Sequence, residues 1–517
     1  MPSATDLIFV ALLGMLVFTP LSARLLGDAG IGWHVRTGQQ ILVTHAVPRV
    51  DFFSSTMHGK PWFAWEWLYD LIVGQLEATL GLIGVVWLTA VVIAAVFSGT
   101  FRLMIVRGTN VAVAVALVLT ALSASMIHFL TRPHVFSWLF TLVWFWILDQ
   151  SETRSFGGNG VSGKRSLLWI LSLSMLLWVN LHGGFLLAFV LLGVFWASAM
   201  WMWFTTSDSS MDDLLLKISA GRRARDLAFV GVFAAAATFA NPYGWKLHVH
   251  IYAYLSNRFL MDHIDEFQSP NFHGVAQKCF AGLVLLTMLA LAGKSRKIRV
   301  SEVLIILFAV YSALLASRNI PVSAMLLALI AGPLLTSIFE QISAKHRSAS
   351  QPPSFLRRIY ATEKGLRIHL WPALAVIATL CITANGGRVG SSLLMDAHFD
   401  NKRMPVAAVD YLEKHEVPGP VIAPDYWGGY VIYRMFPKSQ VAVDDRHDMY
   451  GEEFLKSYLK MVHVEPGWDN FLREHEVSCL LLPKGAPLAN ILVATGGWKT
   501  IYSDDVAVAF VHDATSR

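Results

Sequence analysis

Apolar runs of nearly bilayer-spanning length recur along the chain, and no other feature limits its architecture so tightly. A helix needs about 20 largely apolar residues to traverse the hydrocarbon core. Runs near that length centre on Leu7–Leu21, Leu80–Phe101, Val111–Leu130, Val135–Leu148, Leu167–Leu181, Phe185–Phe204, Leu227–Ala240, Phe280–Ala292, Val303–Ser317, Pro321–Phe339 and Leu370–Ala384. They predict an α-helical polytopic membrane domain over residues 1–386 with about eleven spans, several of which borrow flanking polar residues. Composition agrees: 55% of the 517 residues are hydrophobic, 15% are charged and the mean hydropathy is +0.51, unlike a soluble enzyme. The formal charge of +5 is spread over short connections, so no nucleic-acid-binding patch is expected. Cys279, Cys381 and Cys479 spell neither a disulfide framework nor a thiolate metal site. The first apolar run lacks a basic leader and a cleavage site, and reads as an uncleaved anchor.

Lys and Arg supply an orientation, because cytoplasmic connections collect them. With the N-terminus in the cytoplasm, the even-numbered connections hold Arg102 and Arg107; Arg154, Lys164 and Arg165; Lys217, Arg222, Arg223 and Arg225; Lys294, Arg296, Lys297 and Arg299; then Lys345, Arg347, Arg357, Arg358, Lys364 and Arg367. The odd-numbered connections are short, or acidic and aromatic. They are expected on the periplasmic or extracellular side of a bacterial inner membrane, with a first outer loop at 27–81 and a second at 242–278. The Ser/Pro-rich stretch Ser348–Ser354 reads as a cytoplasmic linker. After a linker at 387–403 the pattern turns soluble. Helix-like Pro405–His415, Glu452–Val462 and Trp468–His475 alternate with strand-like Val421–Ala423, Val441–Val443, Ser478–Leu482 and Val506–Val511. This alternation predicts an extracytoplasmic α/β domain over 404–517.

The outer connections are too polar to be simple turns. The first contains Asp28, Trp33, His34, Arg36, Asp51, a Trp62–Trp65–Trp67 cluster, Glu66 and Asp70. Ionisable groups among interfacial aromatics suit a segment lying over a membrane-embedded site. Asp28, just beyond the first span, can act as a general base, as a ligand for a divalent cation such as Mg or Mn, or simply as a helix cap. Arg132-Pro133-His134, Asn180-Leu181-His182-Gly183-Gly184 and Arg318-Asn319-Ile320-Pro321 are three short outer turns. An interfacial Arg is costly without an anion, and a guanidinium matches phosphate through a planar fork, so Arg132 and Arg318 are candidate phosphate ligands. Pairing with an internal carboxylate or snorkelling to headgroups is the structural alternative. His34, Arg36, His134, His182 and Asn319 are candidate cavity residues beside them. The second outer loop contains Asp262, His263, Asp265, Glu266 and Gln268 without the D-x-D spacing of a metal site. In the C-terminal region, Tyr426, Trp427 and Tyr430 beside glycines, with Asp445 and Arg446, fit either a saccharide or acceptor surface or a domain core with a charged turn.

Several motifs together resemble a group of bacterial membrane proteins similar to C-type (GT-C) glycosyltransferases. They are Asp28 with Gly32-Trp33-His34-Val35-Arg36-Thr37-Gly38, Pro48-Arg49-Val50-Asp51, Glu66-Trp67-Leu68, Arg132-Pro133, Asn180-Leu181-His182-Gly183-Gly184, Asn241-Pro242-Tyr243-Gly244-Trp245 and Asp425-Tyr426-Trp427-Gly428-Gly429-Tyr430. The resemblance implies a polyprenyl-phosphate-linked sugar as donor and an acidic first-loop residue as base or metal ligand, the position that Asp28 occupies. The Tyr426–Tyr430 run is also similar, in a different residue order, to an acceptor-recognising motif of oligosaccharyltransferase catalytic subunits. The acidic pair those enzymes carry in the second outer loop has no clear counterpart here.

The expectation is therefore an integral membrane glycosyltransferase acting on a saccharide, lipid or protein acceptor. Asp28 is its catalytic carboxylate, with Asp51 and Glu66 as alternates. The competing expectation is an inactive relative that binds lipid-linked saccharide or scaffolds envelope assembly.

Overall fold

The computed structural model describes residues 2–156, 166–293, 297–345, 363, 365, 369–417 and 419–512. Lys164, Arg165, Lys294, Arg296, Arg347, Arg357, Arg358, Lys364, Arg367 and the Ser348–Ser354 linker lie outside the described residues. Helices dominate up to Ala384: α1 (Ala4–Phe18), α2 (Leu21–Leu25), α3 (Ile31–Thr44), α4 (Trp67–Leu80), α5 (Leu82–Val106), α6 (Val111–Ser125), α7 (His134–Phe156), α8 (Ser166–Leu181), α9 (Leu186–Thr205), α10 (Met211–Ala237), α11 (Trp245–Ser256), α12 (Arg258–His263), α13 (Val275–Ala292), α14 (Val300–Leu315), α15 (Ile320–Lys345) and α16 (Leu370–Ala384). Each apolar run of the sequence lies in or overlaps one of them. Among the described residues, five helical segments are long and apolar enough to cross a membrane: 82–106, 111–128, 183–205, 275–292 and 317–342.

Local chemistry explains where these helices begin. Ser3 and Asp6 form a reciprocal capping box on α1, and the side chains of Asn110 and Ser210 accept from backbone N–H groups at the starts of α6 and α10. The first loop is itself helical. Its α3 and α4 lie so close that a Cβ on Gly38 would collide with the Asp70 carbonyl, so the pair needs glycine there.

The two ends of the bundle differ in chemistry. At the C-terminal end of α7, Asp149 and Glu152 are buried with Glu302, and they pair with Arg107, Arg223 and Arg299. Three of the basic residues expected to mark cytoplasmic loops are thus locked into a largely buried network. The N-terminal end of α7, ~22 Å away by helix rise, faces the cavity described below.

The C-terminal region contains a four-stranded sheet of order β3-β4-β6-β5, built from Val421–Ile422, Cys479–Pro483, Ala507–His512 and Trp498–Ser503. β3 and β4 are parallel; β6 runs antiparallel to both β4 and β5, placing Leu480 opposite Phe510. A two-stranded ribbon precedes it, with β1 at Arg388–Val389 and β2 at Ser392–Leu393. Around the sheet lie α17 (Val406–Lys414), α18 (Asp425–Met435), α19 (His447–Tyr450), α20 (Glu452–His463), α21 (Asp469–Glu474) and α22 (Pro487–Thr495).

Two departures from the sequence reading join this region to the first loop. Val441–Val443 forms no strand, because Val441 bridges singly to Val421 and to Ser54. Ser55 N–H donates to the Val441 carbonyl at 2.8 Å, and Val441 N–H to that of Phe53 at 3.2 Å, so the loop backbone takes up the pairing. The glycine–aromatic run at Asp425–Tyr430 lies in helix α18, where Gly429 lets the backbone lie directly on residues 29–32 and Gly428 lets it lie on Val443 and Asp444.

Candidate functional site

One cavity of about 1550 Å³ gathers most of the polar outer connections into a single chamber. Its walls come from the first loop, the turns at 132–134, 182–184 and 318–319, the loop at 263–267, and the C-terminal region at 425–427 and 445–448. Helix ends deliver these side chains because the connections between apolar helices are short, so each turn sits at the bundle rim.

Arg132 is the electrostatic hub. Its Nη2 donates to Asp28 Oδ1 at 2.8 Å and also reaches Asp445 Oδ2. Gly30 N–H donates to the same Asp28 oxygen at 2.7 Å, and Trp33 Nε1 donates to Asp445 Oδ1 at 2.8 Å. Among the described residues Asp28 Oδ2 accepts no hydrogen bond, which leaves it for the cavity. Burial raises the Asp445 carboxyl above its ordinary range, against the pull of Arg132.

Glu66 stands at a second focus, its side chain only 12% exposed. His34 Nε2 lies 3.8 Å from one carboxyl oxygen and His182 Nε2 3.6 Å from the other. Burial pushes Glu66 up to about 8. Behind it, His34 Nδ1 sits 2.5 Å from Asp70 Oδ1; burial holds that imidazole well below its usual value and Asp70 well above.

Other expected residues reach the cavity with their partners already chosen. Arg318 pairs with Glu266 at 3.1 Å and lies over the Phe267 ring, 4.5 Å from its centroid. His134 donates from Nε2 to the His128 carbonyl at 2.8 Å, and Asn319 donates to the Ser312 carbonyl at 3.0 Å. Trp427 lines the wall with its indole N–H on the Arg403 carbonyl at 2.8 Å, and Tyr426 beside it is 57% exposed.

Four expected site residues stand away from the chamber. Asp51 is buried against Arg446 Nη1 at 2.7 Å, where the alternate catalytic carboxylate is tied up in an ion pair. Arg446 does touch the cavity wall, yet it is itself buried, donating to Asp444 at 2.6 and 2.8 Å and lying over the Trp62 ring. Arg36 donates from Nε to the Tyr433 carbonyl at 2.8 Å, away from the chamber. Tyr430 is 1% exposed and its hydroxyl accepts from Arg434, so it belongs to the packing of α18. His34 stands one residue behind the wall, in contact with Glu66, Asp70 and Trp33, which do line it.

The cavity also holds residues outside those candidates. His447 Nε2 lies 2.7 Å from Asp425 Oδ2, and Tyr458 donates to the other oxygen at 3.2 Å. Burial opposes the imidazolium, but Asp425 outweighs it and raises His447; burial likewise opposes the Asp425 carboxylate, which its partners hold below the usual range. Arg24 and Arg403 line the cavity without a carboxylate in ion-pair reach among the described residues. Their sequence signal was their place in connections expected to be poor in basic residues.

The residues do not fit a divalent cation. Among the described residues no group of three His, Cys, Asp or Glu side chains can hold a metal ion. The Arg132 guanidinium already occupies the seat between Asp28 and Asp445.

No protein-family model matches the chain, and no curated protein sequence does. Solved structures do. The archaeal oligosaccharyltransferase AglB from Archaeoglobus fulgidus, in complex with an inhibitory peptide and a dolichol-phosphate, superposes with a TM-score of 0.57 at 11% identity, covering 99% of this chain and 74% of that one. The same organism's oligosaccharyltransferase in complex with Zn and sulfate gives 0.51 at 13%, over 98% and 73%. ArnT from Cupriavidus metallidurans in the apo state gives 0.51 at 14% identity, with 98% of each chain covered. The chain has the fold of the GT-C glycosyltransferase superfamily.

Proposed function

We propose that this protein is an integral membrane glycosyltransferase that moves a sugar from a polyprenyl-phosphate donor to a hydroxyl of a cell-envelope acceptor. The chamber faces the outer side of the inner membrane in this reading, at the end of the bundle opposite the basic connections. The observation that carries it is the convergence of Asp28, Arg132, Arg318 and Trp427 on one cavity at a helix-bundle rim. Such a rim is where a lipid-anchored substrate meets groups from both the bundle and a water-exposed domain. A dolichol-phosphate bound to one protein of this fold supports a lipid-phosphate donor.

The chemistry needs a base, a phosphate site and a chamber that limits water. Asp28 is the catalytic carboxylate: Gly30 N–H and Arg132 fix one oxygen, and the free Oδ2 takes the acceptor's hydroxyl proton. Arg24 and Arg403 hold the donor phosphate, since Arg132 and Arg318 are already neutralised by carboxylates. Arg318 adds to this site by exchanging Glu266 for phosphate. Tyr426 and Trp427 offer ring faces to the acceptor.

The test is sugar transfer in lipid nanodiscs from a panel of synthetic polyprenyl-phosphate sugars, comparing wild type with Asp28→Asn. The expected result is turnover that falls about 100-fold or more in the variant. Binding without turnover in the wild type, or equal turnover in both, overturns the proposal.

A further inference from the structure

Hydrogen bonds among the side chains around Glu66 fix which imidazole atoms face it. His182 Nδ1 accepts from Gly184 N–H at 3.0 Å, so the neutral ring carries its proton on Nε2, facing Glu66. Ser137 reinforces that tautomer: Trp178 Nε1 donates to its hydroxyl at 2.8 Å, and the hydroxyl donates to Nδ1 at 2.7 Å. On the other side, His34 Nε2 and Asp70 Oδ2 are buried, and among the described residues neither has a hydrogen-bond partner. Both orphaned atoms belong to the pair standing behind Glu66. One carboxyl is thus flanked by two imidazole edges, at distances a small side-chain rotation closes, with its open side toward the cavity.

We infer that Glu66 is the general acid of the reaction, giving its proton to the phosphate oxygen that leaves the sugar, and that His34 and Asp70 are positioning residues that return a proton to it. This rests on the glycosyl-transfer reading. The acceptor hydroxyl gives its proton to Asp28 while its oxygen forms the bond to the anomeric carbon. The bond from that carbon to the phosphate oxygen breaks with its electron pair on oxygen, which takes the Glu66 proton. His34 Nε2–H then reprotonates Glu66 while Nδ1 draws the proton shared with Asp70. Nδ1 then hands its proton back to Asp70 as Nε2 takes one from solvent that reaches it through Glu66, and solvent removes the proton from Asp28, so the acceptor's hydrogen is balanced by the one on phosphate.

Two carboxyls in one chamber suit opposite roles when their surroundings differ. Asp28 is clamped to a guanidinium; Glu66 is desolvated beside neutral rings and holds its proton up to about 8. His34, Asp70 and Tyr69 face Glu66 from α3 and α4, and His182 faces it from the turn after α8. At longer range Arg132 and Arg318 favour its ionised form, while Asp448 and Glu266 oppose it.

The experiment follows release of polyprenyl phosphate from its sugar conjugate in nanodiscs, against pH, for wild type and Glu66→Gln. An infrared difference spectrum of the two proteins and their thermal midpoints accompany it. In the wild type, rate holds below about pH 8 and falls above it. The variant loses about 100-fold in kcat with little change in KM, keeps its midpoint, and no longer shows that alkaline limb. The difference spectrum contains a protonated-carboxyl band that titrates away near the same pH, a readout that does not depend on turnover. A variant with wild-type rate and pH profile, or a spectrum without that band, overturns the inference while leaving the glycosyltransferase reading standing. A wild type that releases no phosphate from any donor overturns both.

Discussion

Gly32 and Gly429 meet backbone to backbone: the carbonyl oxygen of Gly429 stands where a Cβ of Gly32 would be, and the Ala29 carbonyl stands where one of Gly429 would be. Helix α18 of the C-terminal region is therefore seated on α3 of the first loop without intervening side chains, and the cavity between bundle and sheet depends on that seat. Gly429→Ala must force the two backbones apart. The expected cost is about 1–3 kcal/mol, read as a lowered thermal midpoint in detergent, together with loss of sugar transfer. A midpoint equal to wild type would show that the seat tolerates a methyl group.

The Arg446 side chain is buried with both its carboxylate partners, Asp51 and Asp444, and stacks on Trp62. Removing one member of such a set leaves uncompensated buried charge. Arg446→Ala is expected to destabilise the protein by ~3–5 kcal/mol. Asp51→Asn should lower the thermal midpoint while kcat per folded molecule stays unchanged. A selective loss of kcat in that variant would return Asp51 to the list of catalytic groups.

Arg24 and Arg403 are the cavity-lining arginines with no carboxylate in ion-pair reach among the described residues. Arg403→Gln is expected to weaken binding of polyprenyl phosphate by about 10-fold, with an effect that shrinks as salt rises. Arg318→Gln, which frees Glu266 from its pair, should cost less. Isothermal titration of polyprenyl phosphate into nanodiscs ranks the two, and the reverse order would refute the phosphate site proposed here.

The Asp425–His447 pair makes stability depend on pH in two directions. His447 is raised in the folded protein, so its contribution is complete below the unfolded value near 6.5 and is lost as pH rises through the folded one. Asp425 is lowered, so its contribution is present above the unfolded value near 3.8 and is lost as pH falls through the folded one. His447→Gln should remove the alkaline loss seen in melts across neutral to mildly basic pH. An unchanged midpoint-against-pH curve would show that the pair is not ionised.

Much of the bundle was legible because lipid-length apolar runs are a local signal; every one of them lies in or overlaps a helix. The gathering of Asp28, Arg132, His182 and Arg318 was legible too, since short turns between long helices have few places to go. Pairing was not. Arg446 and Asp51 are separated by 395 positions, and nothing near either one names the other. Val441–Val443 is as apolar and buried as a core strand, but its backbone makes only single bridges, one to Val421 of β3 and one to Ser54 of the first loop. Tyr430 and the adjacent glycines looked like a binding surface because small residues beside aromatics serve close packing and ligand stacking alike; only the position of α3 separates the two. Arg107, Arg223 and Arg299 do lie together at one end of the bundle, but they are matched by Asp149, Glu152 and Glu302, carboxylates just outside the apolar runs that the sequence reading passed over.

The rungs between Phe53, Ser55 and Val441 tie an early segment to a late one, with the Ser55–Val441 contact bridging 386 positions. During synthesis the first loop emerges long before its partner exists, and its backbone must wait on water or on a chaperone for the greater part of translation. The cavity consequently closes late in synthesis, and a chain cut short before residue 441 has the bundle but lacks the wall that residues 445–448 supply.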